Sequence, residues 1–243
     1  MSLAIVDKLV LVTGANRGLG RALVDEALRR GARRVYAASR QPMVVPDQRV
    51  TSVTLDVTDP AQIQEAVARV ESLDILINNA GVSVPDDLSD HRAFEQHLAV
   101  NLYGTLDVTR AFLPSLTRSH GTVINVVSLG AVAAVPVLPA YSVSKAASLS
   151  LTQSLRALLA GRGVRVHAIL PGPIDTDMVR DLDIPKTPPE EVAWATLDGV
   201  ERGEEEIFPD PMSQSLADSW RAGVAKALER QNAALVQAGP IAA

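Results

Sequence analysis

Apolar residues fall along this chain in short β-branched runs separated by longer stretches of helical spacing. Residues 8–13, 33–38, 50–55, 74–78, 122–127 and 164–170 each read as a buried strand, since a strand covered on both faces needs a nearly continuous apolar run. Between them, residues 19–30 bring Leu19, Leu23 and Leu28 near one helix face and stop at Gly31. Asp59-Pro60 supplies an N-cap followed by a first-turn proline, which opens a second helix. Residues 103–117 and 141–159 form two longer ones. Strands alternating with helices imply parallel pairing, right-handed crossovers and helices on both sides of the sheet. The expected fold is α/β, a single Rossmann domain over residues 1–243 built on a doubly wound parallel sheet, with no internal repeat and no linker. The last third is harder to pattern. Residues 175–189 read as a loop around Pro185, Pro188 and Pro189, residues 204–208 as a short last strand, and residues 213–237 as a terminal helix.

Composition narrows the function classes. A 47% hydrophobic chain can bury a core and is too apolar for intrinsic disorder. A formal net charge of -5 without a basic run speaks against a nucleic-acid partner. There is no cysteine, which excludes disulfides and thiolate chemistry. The uncharged stretch from 121 to 144 is interrupted by Asn125, Ser128, Gly130, Pro136 and Pro139, so it reads as a strand entering an apolar loop, not as a membrane span. With no signal-like start, the expectation is a soluble cytoplasmic protein with no membrane partner. His91, His97, His120 and His167 lack metal-ligand spacing, so no metal site is expected, and structural or surface roles are assigned to them. Glu204-Glu205-Glu206 reads as a charged strand entrance; Trp194 and Trp220 read as packing residues, with a lid role open to Trp194.

Chemistry first appears after the first strand. Thr13-Gly14-Ala15-Asn16-Arg17-Gly18-Leu19-Gly20 has the form GxxxGxG and runs into a helix. Glycines there let the backbone turn tightly and approach a pyrophosphate, which the helix N–H groups can hold. The pattern is weak alone; its place between a strand and a helix strengthens it. The second strand ends Ala37-Ala38-Ser39-Arg40, with no acid to bond an unphosphorylated ribose. A hydroxyl and a guanidinium suit a 2′-phosphate, and Arg17 could reach the same group. The expected cofactor is therefore NADP(H).

A second cluster lies further on. Tyr141 and Lys145 stand four apart at a helix start, on one face. A phenol titrates near pH 10, and a neighbouring ammonium should lower that value, giving a group able to donate and accept a proton at a carbonyl or alcohol oxygen.

Taken together, these motifs resemble the short-chain dehydrogenase/reductase family in its form of about 250 residues. The resemblance spans roughly residues 8–176: the loop 13–20, Asp56, Asn78-Asn79-Ala80-Gly81, Asn101, Ser128, Tyr141-x-x-x-Lys145 and Pro171-Gly172 occur in the family's order. It implies that Tyr141 is the general acid/base, that Ser128 holds the substrate oxygen, that Lys145 bonds the nicotinamide ribose and lowers the phenol's pKa, and that Asn101 positions a relay water. It places Asp56 at the adenine, Asn79, Ala80 and Gly81 at the adjoining ribose, and Ile174 and Thr176 at the carboxamide and phosphates. Gly14, Asn16, Arg17, Gly18, Leu19, Gly20, Ser39, Arg40, Val57, Pro171 and Gly172 complete the expected cofactor set. Two departures stand out. The tail reads Glu205-Glu206-Ile207-Phe208-Pro209-Asp210 instead of the family's Asp-Gly-Gly signature, and the substrate segment, about 173–190, is short and proline-rich.

The partners implied are a small carbonyl or alcohol substrate and a second copy of the chain, as a homodimer or homotetramer. Helices 103–117 and 141–159 are the expected dimer face, with Leu106, Phe112, Leu149 and Leu155 around it. The loop from Leu129 to Ala140 joins Ser128 to Tyr141 without one charge, and Met178, Val179, Leu182 and Ile184 should face it. That points to an uncharged hydrophobic aldehyde or ketone, unless the loop packs against the sheet. A non-catalytic NADP(H)-binding sensor is the alternative, and a sugar-nucleotide epimerase fits the glycine spacing less well.

Overall fold

A computed structural model describes residues 4–44, 46–181 and 183–237. Leu182 therefore lies outside the described residues. Seven parallel strands make one sheet in the order β3-β2-β1-β4-β5-β6-β7: β1 Leu9–Thr13, β2 Arg34–Ser39, β3 Val50–Thr54, β4 Ile75–Asn78, β5 Thr122–Val126, β6 Arg165–Ile169 and β7 Glu206–Ile207. The six expected strands are present, five of them shorter at one or both ends and β2 shifted by one residue, to Arg34–Ser39. Successive residues of β1 serve opposite cores, as period two requires. Val10 and Val12 pack under α1 (Gly18–Arg29) and α6 (Pro189–Arg202), among Leu23, Val24, Val192 and Leu197. Leu9 and Leu11 pack under α2 (Pro60–Arg69), α4 (Thr105–Ser119) and α5 (Pro139–Ala160), among Phe112, Leu116, Leu155 and Leu159.

The order reverses at β1, whose neighbours are β2 and β4. Loops leaving the carboxyl ends of β1 and β4 diverge there and open the crevice in which such sheets bind ligands.

Several expectations change. Phe112, Leu149 and Leu155 are buried against the sheet, because their side of α4 and α5 is the core side; the outward apolar residues of this region are Tyr103, Val143 and Leu158. A helix absent from the sequence reading, α3 (His91–Leu98), is capped by Asp90 and runs through a π-helical turn, Ala99–Gly104, into α4. The expected terminal helix is divided into α7 (Pro211–Gln214), α8 (Ala217–Arg221) and α9 (Val224–Gln237). Asp210 starts the first of these with a capping box to Ser213 and a proline in the first turn.

Glu206, expected at a charged strand entrance, is the first residue of β7 and is not left to solvent. It is buried in β7 and paired with Lys226 of α9 and with Arg156 of α5. Strand β7 meets only Ala168 and Ile169 of β6. Ahead of that short pairing, the Arg156 guanidinium donates to the Val166 carbonyl, and the His167 ring donates to the Glu204 carbonyl.

Candidate active site

Gly14 and Gly18 have φ of 65° and 52°, values that favour glycine. A Cβ on Gly20 would stand 2.1 Å from the Gly14 carbonyl oxygen, so α1 starts against its own loop. Beneath the loop is a strut. The Asn79 side-chain amide donates to the carbonyls of Thr13 and Gly14 at 2.9 and 3.2 Å. The backbone N–H groups of Asn79 and Ala80 both donate to Thr13 Oγ1 at 3.0 Å. Much of the hydrogen-bonding capacity of Asn79 and Ala80 thus shapes the loop. No side chain caps the N-terminus of α1. Its first N–H groups, behind a glycine-lined approach that admits no Cβ at Gly20, suit an anionic pyrophosphate. Asn16 and Leu19 flank this approach, Asn16 exposed and Leu19 packed into the core.

The expected phosphate-reading residues divide. Arg40 is exposed and has no ionic partner among the described residues. Ser39 is buried at the end of β2 and donates to the Gln41 carbonyl at 2.6 Å, which leaves its oxygen able to accept. Arg17 is not free: it bonds Asp177 at 2.7 Å, and Arg180 bonds the same carboxylate. This pair ties the glycine loop to the segment after β6, where Thr176 Cγ2 lies 3.0 Å from the Cβ position of Gly18. That segment closes on itself through Ile174 and Thr187, which form a one-residue parallel bridge. Pro171 accepts from the Leu129 N–H at 2.9 Å, and Gly172 donates to Asp210 at 2.8 Å. Asp56 accepts from Thr58, and Val57 packs against Gly104 of the π turn.

Ser128 follows β5, and Tyr141 sits in the first turn of α5 with its phenol beside the Ser128 side chain. Ser128 Oγ accepts from the Gly130 N–H at 3.0 Å, which aims its proton away from the backbone. Lys145, one turn beyond Tyr141, is 5% exposed, donates to the Val126 carbonyl at 2.8 Å and lies 5.8 Å from the Tyr141 ring centroid. Burial pushes the Tyr141 phenol up from its ordinary value, and the Ser128 bond offsets part of that. The expected depression by Lys145 is thus not what these surroundings produce. Burial lowers the Lys145 ammonium to about 8.

Asn101, on the π turn, is fully engaged. Its amide donates to the Val82 carbonyl at 3.0 Å and to Ser144 Oγ at 2.9 Å, and its Oδ1 accepts from the Val82 N–H at 2.9 Å. Its own carbonyl accepts from Ser148 at 2.6 Å. The insertion of one residue in a π turn re-aims a side chain, and here it aims Asn101 at Val82 and α5. Ser144 passes the contact on, donating to the Tyr141 carbonyl at 2.7 Å.

The sequence reading missed Ser144, Asp177 and Asp210 altogether and gave His97 only a bland role. His97 is completely buried, with its ring 6.3 Å from that of Tyr141, edge to face. In the loops after β5 and β6 and at the start of α7, Val132, Val135, Val137, Met178, Ile184 and Met212 are exposed. The middle of the loop from Ser128 to Tyr141 therefore presents apolar side chains outward, while Leu129 and Ala131 pack against the core beside β5 and β6. Among the described residues no acid–histidine group could hold a metal, and no helix is long and apolar enough to cross a membrane.

Comparisons with known proteins agree with this arrangement. The family profile described as short chain dehydrogenase matches residues 8–186. A short chain dehydrogenase from Burkholderia cenocepacia J2315, solved in complex with NADP, superposes with a TM-score of 0.86 at 39% identity, covering 94% of this chain and 98% of that one. Oxidoreductase UcpA of Escherichia coli K12 is 35% identical over 195 residues, 73% of each chain. An uncharacterized oxidoreductase of Staphylococcus saprophyticus is 32% identical over 210 residues, covering 79% of this chain and 90% of the relative.

Proposed function

We propose that this chain, which belongs to the short-chain dehydrogenase family, is an NADP(H)-dependent oxidoreductase that interconverts an uncharged hydrophobic aldehyde or ketone with its alcohol. The observation that carries this reading is the placing of the Ser128 side chain beside the Tyr141 phenol, with Lys145 buried one turn along α5. When bound, the cofactor supplies or takes the hydride. Everything else falls to side chains of the protein. The glycine loop and the free N–H groups of α1 hold the pyrophosphate, and Arg40 with Ser39 receives the 2′-phosphate. The Ser128 hydroxyl donates to the carbonyl oxygen and steadies the charge that grows on it. Tyr141 Oη gives that oxygen its proton in reduction and removes it in oxidation. A phenol raised by burial is a stronger hold on its proton, and charge-assisted bonding to the developing alkoxide must draw it off. Lys145, whose ammonium donates to the Val126 carbonyl, would bond the nicotinamide ribose.

The NADP bound to the Burkholderia relative supports the cofactor reading, as does Arg40, which has no ionic partner among the described residues. Titration should show NADPH bound more tightly than NADH. Arg40→Asp should weaken NADPH binding about ten- to a hundredfold, the loss of one charge-assisted bond; equal affinities in the wild type would sink the assignment. The outward Val132, Val135 and Val137 favour a neutral substrate, since apolar walls solvate an ion poorly. A kcat/KM preference for anionic ketones over matched neutral ones would contradict it. The cytoplasm is the compartment this chemistry suits. A second copy docks on α4 and α5, where Tyr103, Val143 and Leu158 face outward; sedimentation at micromolar protein should show at least a dimer.

A further inference from the structure

The segment that follows β4 is fastened at every second residue. Asn101 holds both the N–H and the carbonyl of Val82. The N–H of Val84 donates to His97 Nε2 at 3.0 Å. The Asp86 carboxylate accepts from the N–H of Ala140, both oxygens at 3.3 Å, one residue before Tyr141. The backbone of Val82 and of Val84 and the side chain of Asp86 thus fasten the segment at three points, to the π turn, to α3 and to the start of α5. The first fastener belongs to the machinery described above. The other two have no role in it.

His97 is the centre of this device. Its Nδ1 lies 2.7 Å from the Ala93 carbonyl oxygen, which can only accept. Its Nε2 faces an N–H, which can only donate. The two partners together leave one state of the ring, neutral and protonated on Nδ1. No other ring state satisfies both, and the site is completely buried, so water cannot substitute. That ring also meets the Tyr141 ring edge to face, with an interplanar angle of 74°. Asp86 in turn occupies the N-terminus of α5, where a carboxylate interacts favourably with the helix dipole and with unpaired N–H groups. Loop and catalytic helix are thereby held to one another from both sides of Tyr141.

We infer that His97 and Asp86 are positioning residues for Tyr141: they lock segment 82–86 against the first turn of α5 and so fix the phenol relative to Ser128. The inference rests on the reading of Tyr141 as the proton donor. Misplacing a catalytic group by about 1 Å can cost on the order of a hundredfold in rate, so the effect belongs in kcat and not in cofactor affinity.

Nitrogen-15 spectra of histidine-labelled wild type test the geometry without turnover. His97 should show a protonated Nδ1 and a bare Nε2; an Nε2–H tautomer or an imidazolium at neutral pH would overturn the assignment whether or not any variant folds. His97→Phe keeps the ring and removes the acceptor. Its kcat should drop about ten- to a hundredfold, with the NADPH dissociation constant unchanged, while His97→Gln, which restores an acceptor, should regain most of the loss. Asp86→Asn, which still accepts, should stay near wild type, and Asp86→Ala should lose kcat as His97→Phe does. A merely structural role would lower cofactor affinity and kcat together and would not separate Phe from Gln. If Tyr141→Phe remains active, the reading of Tyr141 is wrong; if it is dead while His97→Phe turns over normally, this inference alone falls.

Discussion

The crevice end of the sheet and the tail beyond β6 both bury polar groups, but they do so on opposite principles. At the crevice the buried polar atoms are mostly neutral and partnered with backbone: Thr13 with the N–H groups of Asn79 and Ala80, Asn101 with Val82, His97 with Val84. In the tail they are charges partnered with charges. Lys226, 2% exposed, has carboxylates of Glu205, Glu206 and Glu229 at 2.7, 2.9 and 2.9 Å, and Arg156 joins Glu206 and Glu229 from α5. Burial works against the Lys226 charge, yet the three carboxylates outweigh it and its pKa is raised. Helix α9 is accordingly inside out. Lys226 and Glu229 face in, while Val224, Leu228 and Leu235 face out. Neutral, backbone-anchored polar groups set geometry at little electrostatic cost; a charge cluster is stable only while every member is present.

The contrast can be broken most visibly at Tyr141. Tyr141→Phe keeps the ring and should lower kcat by about 10²–10⁴, with thermal stability and NADPH binding close to wild type; a variant at half the native rate would end the assignment. Lys226→Met is the mirror experiment. It leaves buried carboxylates without their cation and should cost about 3–5 kcal/mol in denaturant melts, while turnover per folded molecule is retained. If it also destroys turnover in the folded protein, tail and crevice are coupled and the comparison fails.

Lys145 sharpens it further, as a buried cation of the crevice whose hydrogen-bond partner is a neutral carbonyl. With its pKa lowered from 10.5 to about 8, the unfolded chain binds more protons than the folded one between those values. Stability held back by this amine below pH 8 is therefore recovered as pH rises towards 10.5. Relative to Lys145→Met, cofactor-free wild type should gain on the order of 1–3 kcal/mol over that interval; parallel pH profiles would remove Lys145 from the account. The smallest effect is expected at Leu228→Gln, on the outer face of α9, which should change monomer stability by less than about 0.5 kcal/mol. A large loss would mean that this face is covered.

How much could be read in the sequence follows the same division. The strands, the glycine loop and Tyr141-x-x-x-Lys145 were legible because each is a local pattern whose spacing carries its own reason, whereas Ser128 came only with the family resemblance. His97, Asp86 and Ser144 were not, because their partners lie at sequence separations of 13, 54 and 43 residues and their types are ordinary at those positions. Helix α3 was missed although Asp90 caps it and Phe94 and Leu98 share a face, because most of its other residues are polar. Helix α6 was hidden by the prolines before it, although Val192, Leu197 and Val200 carry its buried stripe. In the tail the sequence suggested a helix without showing which side faces in: apolar residues point inward only when the facing surface is apolar, and here it is Glu205, Glu206 and Arg156.

Strand β7 covers only two residues of β6, and the rest of that edge is stopped by side chains, Arg156 on the Val166 carbonyl foremost. An open strand edge is a template for another chain, and short edges guarded by charge are how sheets avoid pairing with one another. The ion cluster under α9 is thus also a guard against aggregation. Arg156 can keep its place on β6 only while Glu206 and Glu229 hold its other end. A chain cut short before α9 would lose Glu229 and Lys226 together, leave Glu206 and Arg156 loosely held, and bare the β6 edge. Such a fragment keeps every residue of the crevice and yet is the form most prone to stack on its own kind.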